Sequence, residues 1–168
     1  MARIALINLP SNIPDYPSLG LASLSASLKK SGHQVIIAGE GSDKFFSSTE
    51  KIKVIGKVTE IAEHLDKNDV FLLPVEYGAG ARMRVLDILS TGLPFVSTPK
   101  GIEGYPPDIK EGGIIVDQIK DFPQAVVKLL DKKTHFDKQQ KIFDIRADYT
   151  GESVFPAFID RIKRVLKR

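Results

Sequence analysis

Gly78, Gly80, Arg82, Arg84 and Asp87 fall within ten residues of one another, in the run Gly78-Ala79-Gly80-Ala81-Arg82-Met83-Arg84-Val85-Leu86-Asp87. This order of residue types can hold a diphosphate. Glycine has no Cβ, so a Gly-Ala-Gly loop can turn its amides toward an anion and let it approach closely. A helix expected from Ala81 or Arg82 adds the positive end of its dipole, and Arg82 and Arg84 in its first turn add full charges. Asp87, one turn further along, can accept hydrogen bonds from the paired hydroxyls of a ribose. The same spacing also makes Arg84 and Asp87 an ordinary i,i+3 surface pair, worth about 0.2 to 0.5 kcal/mol. Spacing alone leaves both readings open.

The flanking residues are of the kinds that would position such a loop. Val70 to Pro74 is a short apolar run, the pattern of a strand covered on both faces. Gly92 and Pro94 in Thr91-Gly92-Leu93-Pro94 stop the helix, and Phe95 to Ser97 begins the next strand. Further apolar runs place strands near Ile4, Val35, Lys53 and Ile114, alternating with helices near Ser18, Thr59, Arg82 and Phe122. Leu21, Leu24 and Leu28 form one face of the first helix, and Gly32 ends it. The expected fold is α/β, a Rossmann-like doubly wound parallel sheet of about six strands with flanking helices. Ligands of such sheets bind beyond the carboxyl ends of the strands, where these loops lie.

Taken together, the proline, glycine loop, basic helix start, V-L-D, T-G-L-P-F-V-S-T and G-I-E-G resemble the nucleotide-sugar half of the retaining GT-B glycosyltransferases called group 1 or family 4. The resemblance runs from about Gln34 to Ala147. Val35 to Asp43 resembles the strand and loop over which the nucleotide passes, and Ile52 to Val58 the strand beside the base. It implies that Asp87 takes the ribose, a role usually held by glutamate, and that Arg84 stands where one subgroup has lysine. Gly78, Ala79, Gly80, Ala81 and Arg82 would line the diphosphate. Gly41, Gly56 and Val58 would border the rest of the nucleotide, with Lys57 beside them. Glu76 would face the transferred sugar as a catalytic carboxylate with Arg84 at the leaving group, although it lies eleven residues before Asp87, a longer spacing than the family's commonest.

One departure matters chemically. The family usually carries a basic pair in the loop after its first strand, whereas Asn8 to Gly20 contains no lysine or arginine. Either Arg82, Arg84 and Lys100 make up the lost charge, or the site has degenerated. The opening segment has a second likeness: P-S-L-G-L-A-S-L and S-G-H-Q-V are similar to cobalamin-binding domains of radical enzymes.

Composition narrows the classes. The chain has 168 residues, 42% hydrophobic, with a formal charge of +3. This suits a single domain spanning residues 1–168, and no apolar run reaches the roughly 20 residues of a membrane span. Without cysteine there are no disulfides, thiol nucleophiles or thiolate metal sites. His33, His64 and His135 share no ligand spacing, so no metal is expected. No G-x-S-x-G or Walker A motif occurs. The amino end lacks the pattern of a signal peptide, and a cytoplasmic location is the expectation. At the other end, residues 151–167 form an amphipathic helix in expectation, with Val154, Phe155, Phe158, Ile162, Val165 and Leu166 on one face. Its basic residues can touch anionic lipid or simply complement the helix dipole. No aromatic platform accompanies them for nucleic acid. The sequence thus points to a glycosyltransferase donor domain that needs no cofactor beyond its nucleotide diphosphate sugar and completes its turnover with an acceptor domain or partner chain. The competing class is a non-catalytic module holding a nucleotide or a cobalamin-like ligand.

Overall fold

The apolar runs assemble into one parallel sheet. In the computed structural model, residues 3–7, 33–39, 42–45, 47–50, 52–67, 69–76 and 83–150 are described, with Pro156, Ile159 and Lys163 beyond them. The strands are β1 (Arg3–Ile7), β2 (Gln34–Ala38), β3 (Ile52–Gly56), β4 (Val70–Leu73), β5 (Phe95–Ser97) and β6 (Gly113–Ile115). They are ordered β3-β2-β1-β4-β5-β6. All the pairings are parallel, with Ile4 opposite both Val35 and Val70, and Val96 opposite Leu72 and Ile114. The strand order reverses between β1 and β4, which makes the crevice beyond their carboxyl ends the place for a ligand.

Alternation along the strands sends side chains to two cores. Phe71, Leu73 and Phe95 face one layer, with α2 (Arg84–Thr91) and α4 (Lys132–Arg146) packed over them through Val85, Ile88, Leu89, Ile142 and Ile145. Val70, Leu72 and Val96 face the other, covered by Phe122, Ala125, Val126 and Leu129 of α3 (Phe122–Leu129). A single helical turn, α1 (Ser42–Phe45), follows β2. Gly92 ends α2 in the left-handed region at φ 72° and donates its N–H to the Ile88 carbonyl at 2.9 Å. A Cβ there would also lie 2.9 Å from the Phe143 ring of α4, so the cap serves both the turn and the packing of the two helices.

Two expectations are corrected. The helix expected near Thr59 is one 3-10 turn, Ile61–His64, which buries only Ile61. So little apolar surface cannot offset the cost of nucleating a longer helix. The longest helix among the described residues, α4, was not expected at all. Its fifteen residues bury only His135, Ile142 and Ile145, too few and too widely spaced to mark an apolar face. The helices expected near Ser18 and over residues 151–167 lie outside the described residues, except that Pro156, Ile159 and Lys163 are helical.

Side-chain hydrogen bonds hold α4 in place. The buried His135 ring lies between the Leu129 carbonyl, 3.2 Å from Nδ1, and the Lys67 carbonyl, 3.0 Å from Nε2. Gln139 donates to the same Lys67 oxygen at 2.7 Å. His135→Ala strips a partner from these carbonyls and leaves a void, and is expected to cost about 2 kcal/mol. Urea unfolding should show this as a lower midpoint with an unchanged slope.

Candidate functional site

The β4–α2–β5 unit places the chemistry at the carboxyl edge of the sheet. From β4 the chain passes through Pro74 and Val75 to Glu76. Val75 donates its N–H to the Leu73 carbonyl at 2.9 Å, and the Thr98 hydroxyl donates to the Val75 carbonyl. Gly101 in turn donates its N–H to Thr98 Oγ1 at 3.2 Å and to the Thr98 carbonyl at 3.0 Å. The exits of β4 and β5 are therefore tied to the turn Pro99–Ile102, and Thr98 is the knot.

Around this knot is a cavity of about 490 Å³ lined by Glu76, Thr98, Lys100, Glu103 and Asp117, among others. Lys100 Nζ lies 2.9 Å from Glu103 Oε1 and 2.7 Å from Oε2, so that pair is neutral. Glu76 and Asp117 leave the cavity with excess negative charge and acceptor oxygens. Glu103 lines this wall beside Lys100.

A second, smaller cavity of about 160 Å³ lies between the segment after β3 and the outer face of α2. Val58, Thr59, Glu60 and Ile61 form one wall, and Arg84, Asp87 and Ser90 the other. Arg84 Nη1 is 2.8 Å from Asp87 Oδ2, with the two side chains 34% and 33% exposed. The i,i+3 pair is thus formed, and it stands on the cavity wall. A carboxylate accepts at about four lone-pair positions, so one bond from Arg84 leaves room for ligand hydroxyls. Ser90 and Thr91 spend their hydroxyls on the Asp87 carbonyl, at 2.8 and 3.0 Å. Burial, and then the charge of Asp87, raise the Tyr105 phenol above its usual pKa and keep it neutral. Its ring lies 6.5 Å from that of Tyr149, whose phenol is raised by burial first and by Asp108 next.

The expected site residues therefore divide. Val58, Arg84 and Asp87 meet at the smaller cavity, Glu76 lines the larger, and Gly56 closes β3, its carbonyl accepting from Gly39 at 2.7 Å. Gly41, Gly78, Ala79, Gly80, Ala81 and Arg82 lie outside the described residues, as does the cation-free loop from Asn8 to Gly20. The described α2 begins at Arg84. The sequence reading missed Asp117, Glu60 and Thr98 as site residues. Asp117 carried a usable signal, because it stands two residues past the end of β6, where such sheets bind ligands. Among the described residues no group of three or more His, Asp or Glu is placed to hold a metal ion, and no helix is long and apolar enough to cross a membrane.

Solved structures share this architecture. TarM superposes with a TM-score of 0.65 at 17% identity, over 94% of this chain and 34% of TarM. Anabaena Alr3699/HepE, solved with UDP and glucose, gives 0.64 at 10% identity over 98% of this chain and 48% of its own. The C-terminal domain of a glycosyl transferase group 1 family protein, LpcC from Francisella tularensis, gives 0.61 at 15% identity, over 89% of this chain and 85% of that domain. The chain thus spans about a third of TarM and half of HepE but 85% of the isolated LpcC domain. No curated protein matches it in sequence. These likenesses establish the fold, that of GT-B glycosyltransferases, and lend no support to the cobalamin comparison. Family membership comes from the sequence itself: the family model described as glycosyl transferases group 1 matches residues 19–132. On that match, which takes in both strands and the helix of the β4–α2–β5 unit, the chain belongs to the group 1 glycosyltransferases.

Proposed function

We propose that this chain is a donor domain that binds a nucleotide diphosphate sugar for glycosyl transfer. The observation that carries the reading is the smaller cavity, where Val58 on one wall faces Arg84 and Asp87 on the other, at the start of α2. The nucleoside lies in this cavity with its ribose on Asp87. The diphosphate lies at the Arg84 end, and the sugar extends toward Glu76 in the larger cavity. Carboxylates suit a sugar because each oxygen accepts from its hydroxyls. During transfer the bond from the anomeric carbon to the diphosphate oxygen breaks while an acceptor hydroxyl oxygen bonds to that carbon and gives up its proton. Arg84, Arg82 and the loop amides take up the charge that develops on the leaving diphosphate, a role that needs no metal. An acceptor-binding half completes the reaction, from another domain or a partner chain.

A second reading, a nucleotide-binding module without turnover, is favoured by one specific observation. The segment from Asn8 to Gly20 offers no cation to the diphosphate.

Calorimetric titration with UDP, GDP, ADP and their glucose or mannose conjugates tests the proposal. Saturable binding is expected, with a conjugate bound more tightly than its bare diphosphate. Glu76→Ala should weaken the conjugate about tenfold and leave the diphosphate unchanged, since one charged hydrogen-bond acceptor is lost. Equal affinity for sugar and bare nucleotide in the unaltered chain would favour the module without turnover. A folded chain that binds none of them would overturn both readings.

A further inference from the structure

Building on the nucleotide-sugar reading, we infer that the smaller cavity selects guanine, with the Glu60 carboxylate as the group that reads the base. Position along α2 sets the order of the ligand's parts. Arg84 opens the helix, Asp87 stands almost one turn in and Ser90 almost another, so a nucleotide whose phosphates sit at Arg84 runs its base toward the wall of Val58, Thr59 and Glu60. Val58 packs against the core and offers an apolar surface for the face of a planar ring. Glu60 lines the same cavity two residues further along the chain.

Glu60 is free to take the role. It precedes the turn Ile61–His64 in an extended conformation, φ −125° and ψ 108°, and its side chain makes no capping hydrogen bond. Among the described residues of the cavity wall the one cation, Arg84, is paired with Asp87 at 2.8 Å rather than with Glu60. The base end of the cavity therefore presents an acceptor-only carboxylate, with the Thr59 hydroxyl as its polar neighbour.

Guanine matches a carboxylate better than the other bases do. Its N1–H and N2 amino group are adjacent donors on one edge, and the two carboxylate oxygens can accept from both in parallel. Adenine places the unprotonated N1 beside its amino group, so one carboxylate oxygen would face a lone pair. Cytosine has the same fault at N3. Uracil sets its single N3–H between two carbonyl oxygens, which repel the carboxylate. A site built around such bonds rejects a ligand that leaves its polar groups unpaired.

The test is titration of the full chain, shown to be folded by circular dichroism, with GDP, ADP and UDP, for the parent and for Glu60→Gln. The glutamine keeps the shape and one acceptor but turns the other position into a donor. GDP is expected to bind about tenfold more tightly than ADP or UDP. Glu60→Gln should erase that preference, weakening GDP while relieving the mismatch that ADP and UDP meet in the parent. Tightest binding of ADP or UDP, or a GDP preference that survives Glu60→Gln, overturns the inference and leaves the nucleotide-sugar reading standing. A folded chain that binds no nucleotide removes the inference and that reading together.

Discussion

Arg84→Ala is expected to leave the protein folded while weakening nucleotide diphosphate binding about 10- to 100-fold, the range for losing a hydrogen bond to a charged group. The contrast between binding and stability is what decides the role of the Arg84–Asp87 pair. With the two side chains 34% and 33% exposed, the pair contributes less than about 0.5 kcal/mol to folding. If it were only a surface pair, Arg84→Ala and Asp87→Ala would each shift the unfolding midpoint slightly and leave titrations untouched. If it lines a nucleotide site, each loses binding for its own reason. Arg84→Ala removes the cation from the phosphate end, and Asp87→Ala removes the ribose acceptor and leaves Arg84 without its partner. Arg84→Lys separates charge from shape, because lysine keeps the charge but not the planar fork. It should recover part of the lost affinity. Unchanged nucleotide binding in both alanine variants would return the pair to the surface-pair reading and sink the site.

Gly101→Ala should be the most disruptive small change at the rim of the larger cavity. A Cβ on Gly101 would lie 2.2 Å from Ser97 Oγ, 2.9 Å from the Leu73 carbonyl and 3.2 Å from Leu73 Cβ. The Ser97 hydroxyl is itself engaged, donating to the Thr98 carbonyl at 2.8 Å, and Leu73 belongs to the central strand β4. The turn Pro99–Ile102 must therefore move outward, which breaks the Gly101 bonds to Thr98 and shifts Lys100 and Glu103 away from Glu76. A loss of about 1 to 3 kcal/mol is expected, typical of overpacking in a close-packed interior. At this chain length that corresponds to a melting temperature lower by roughly 3 to 10 °C. Ser97→Ala combined with Gly101→Ala relieves the nearest clash but leaves the Leu73 carbonyl in place, so partial recovery is expected. A single variant as stable as the parent would show that the close approach is not needed.

Much of the β4–α2–β5 unit was legible because its signals are local. Four consecutive apolar residues, Val70 to Leu73, are all buried, as a strand covered on both faces requires. Gly92 supplied the left-handed residue that ends α2, and the spacing of Arg84 and Asp87 announced their pairing. The α4 helix was not legible, since its hold on the domain comes from distant groups. His135 and Gln139 both reach the Lys67 carbonyl, 68 and 72 residues away in the chain. No periodicity within α4 reports that contact. Glu60 was missed for the same reason, since it belongs to no local pattern and matters through what the fold brings opposite it.

The sequence by itself determined the types of the central elements, the helix stop at Gly92 and the set of charged groups beside the glycine loop. These follow from backbone sterics, solvation and neighbours within a turn. Only the tertiary structure decided that the site residues fall into two cavities, with Val58 and Glu60 across from Arg84 and Asp87, and Glu76 beside Lys100, Glu103 and Asp117. The physical reason is that parallel strands pair through long crossovers. The order β3-β2-β1-β4-β5-β6, and with it which loops meet at the carboxyl edge, is set by packing both faces of the sheet at once rather than by any one segment.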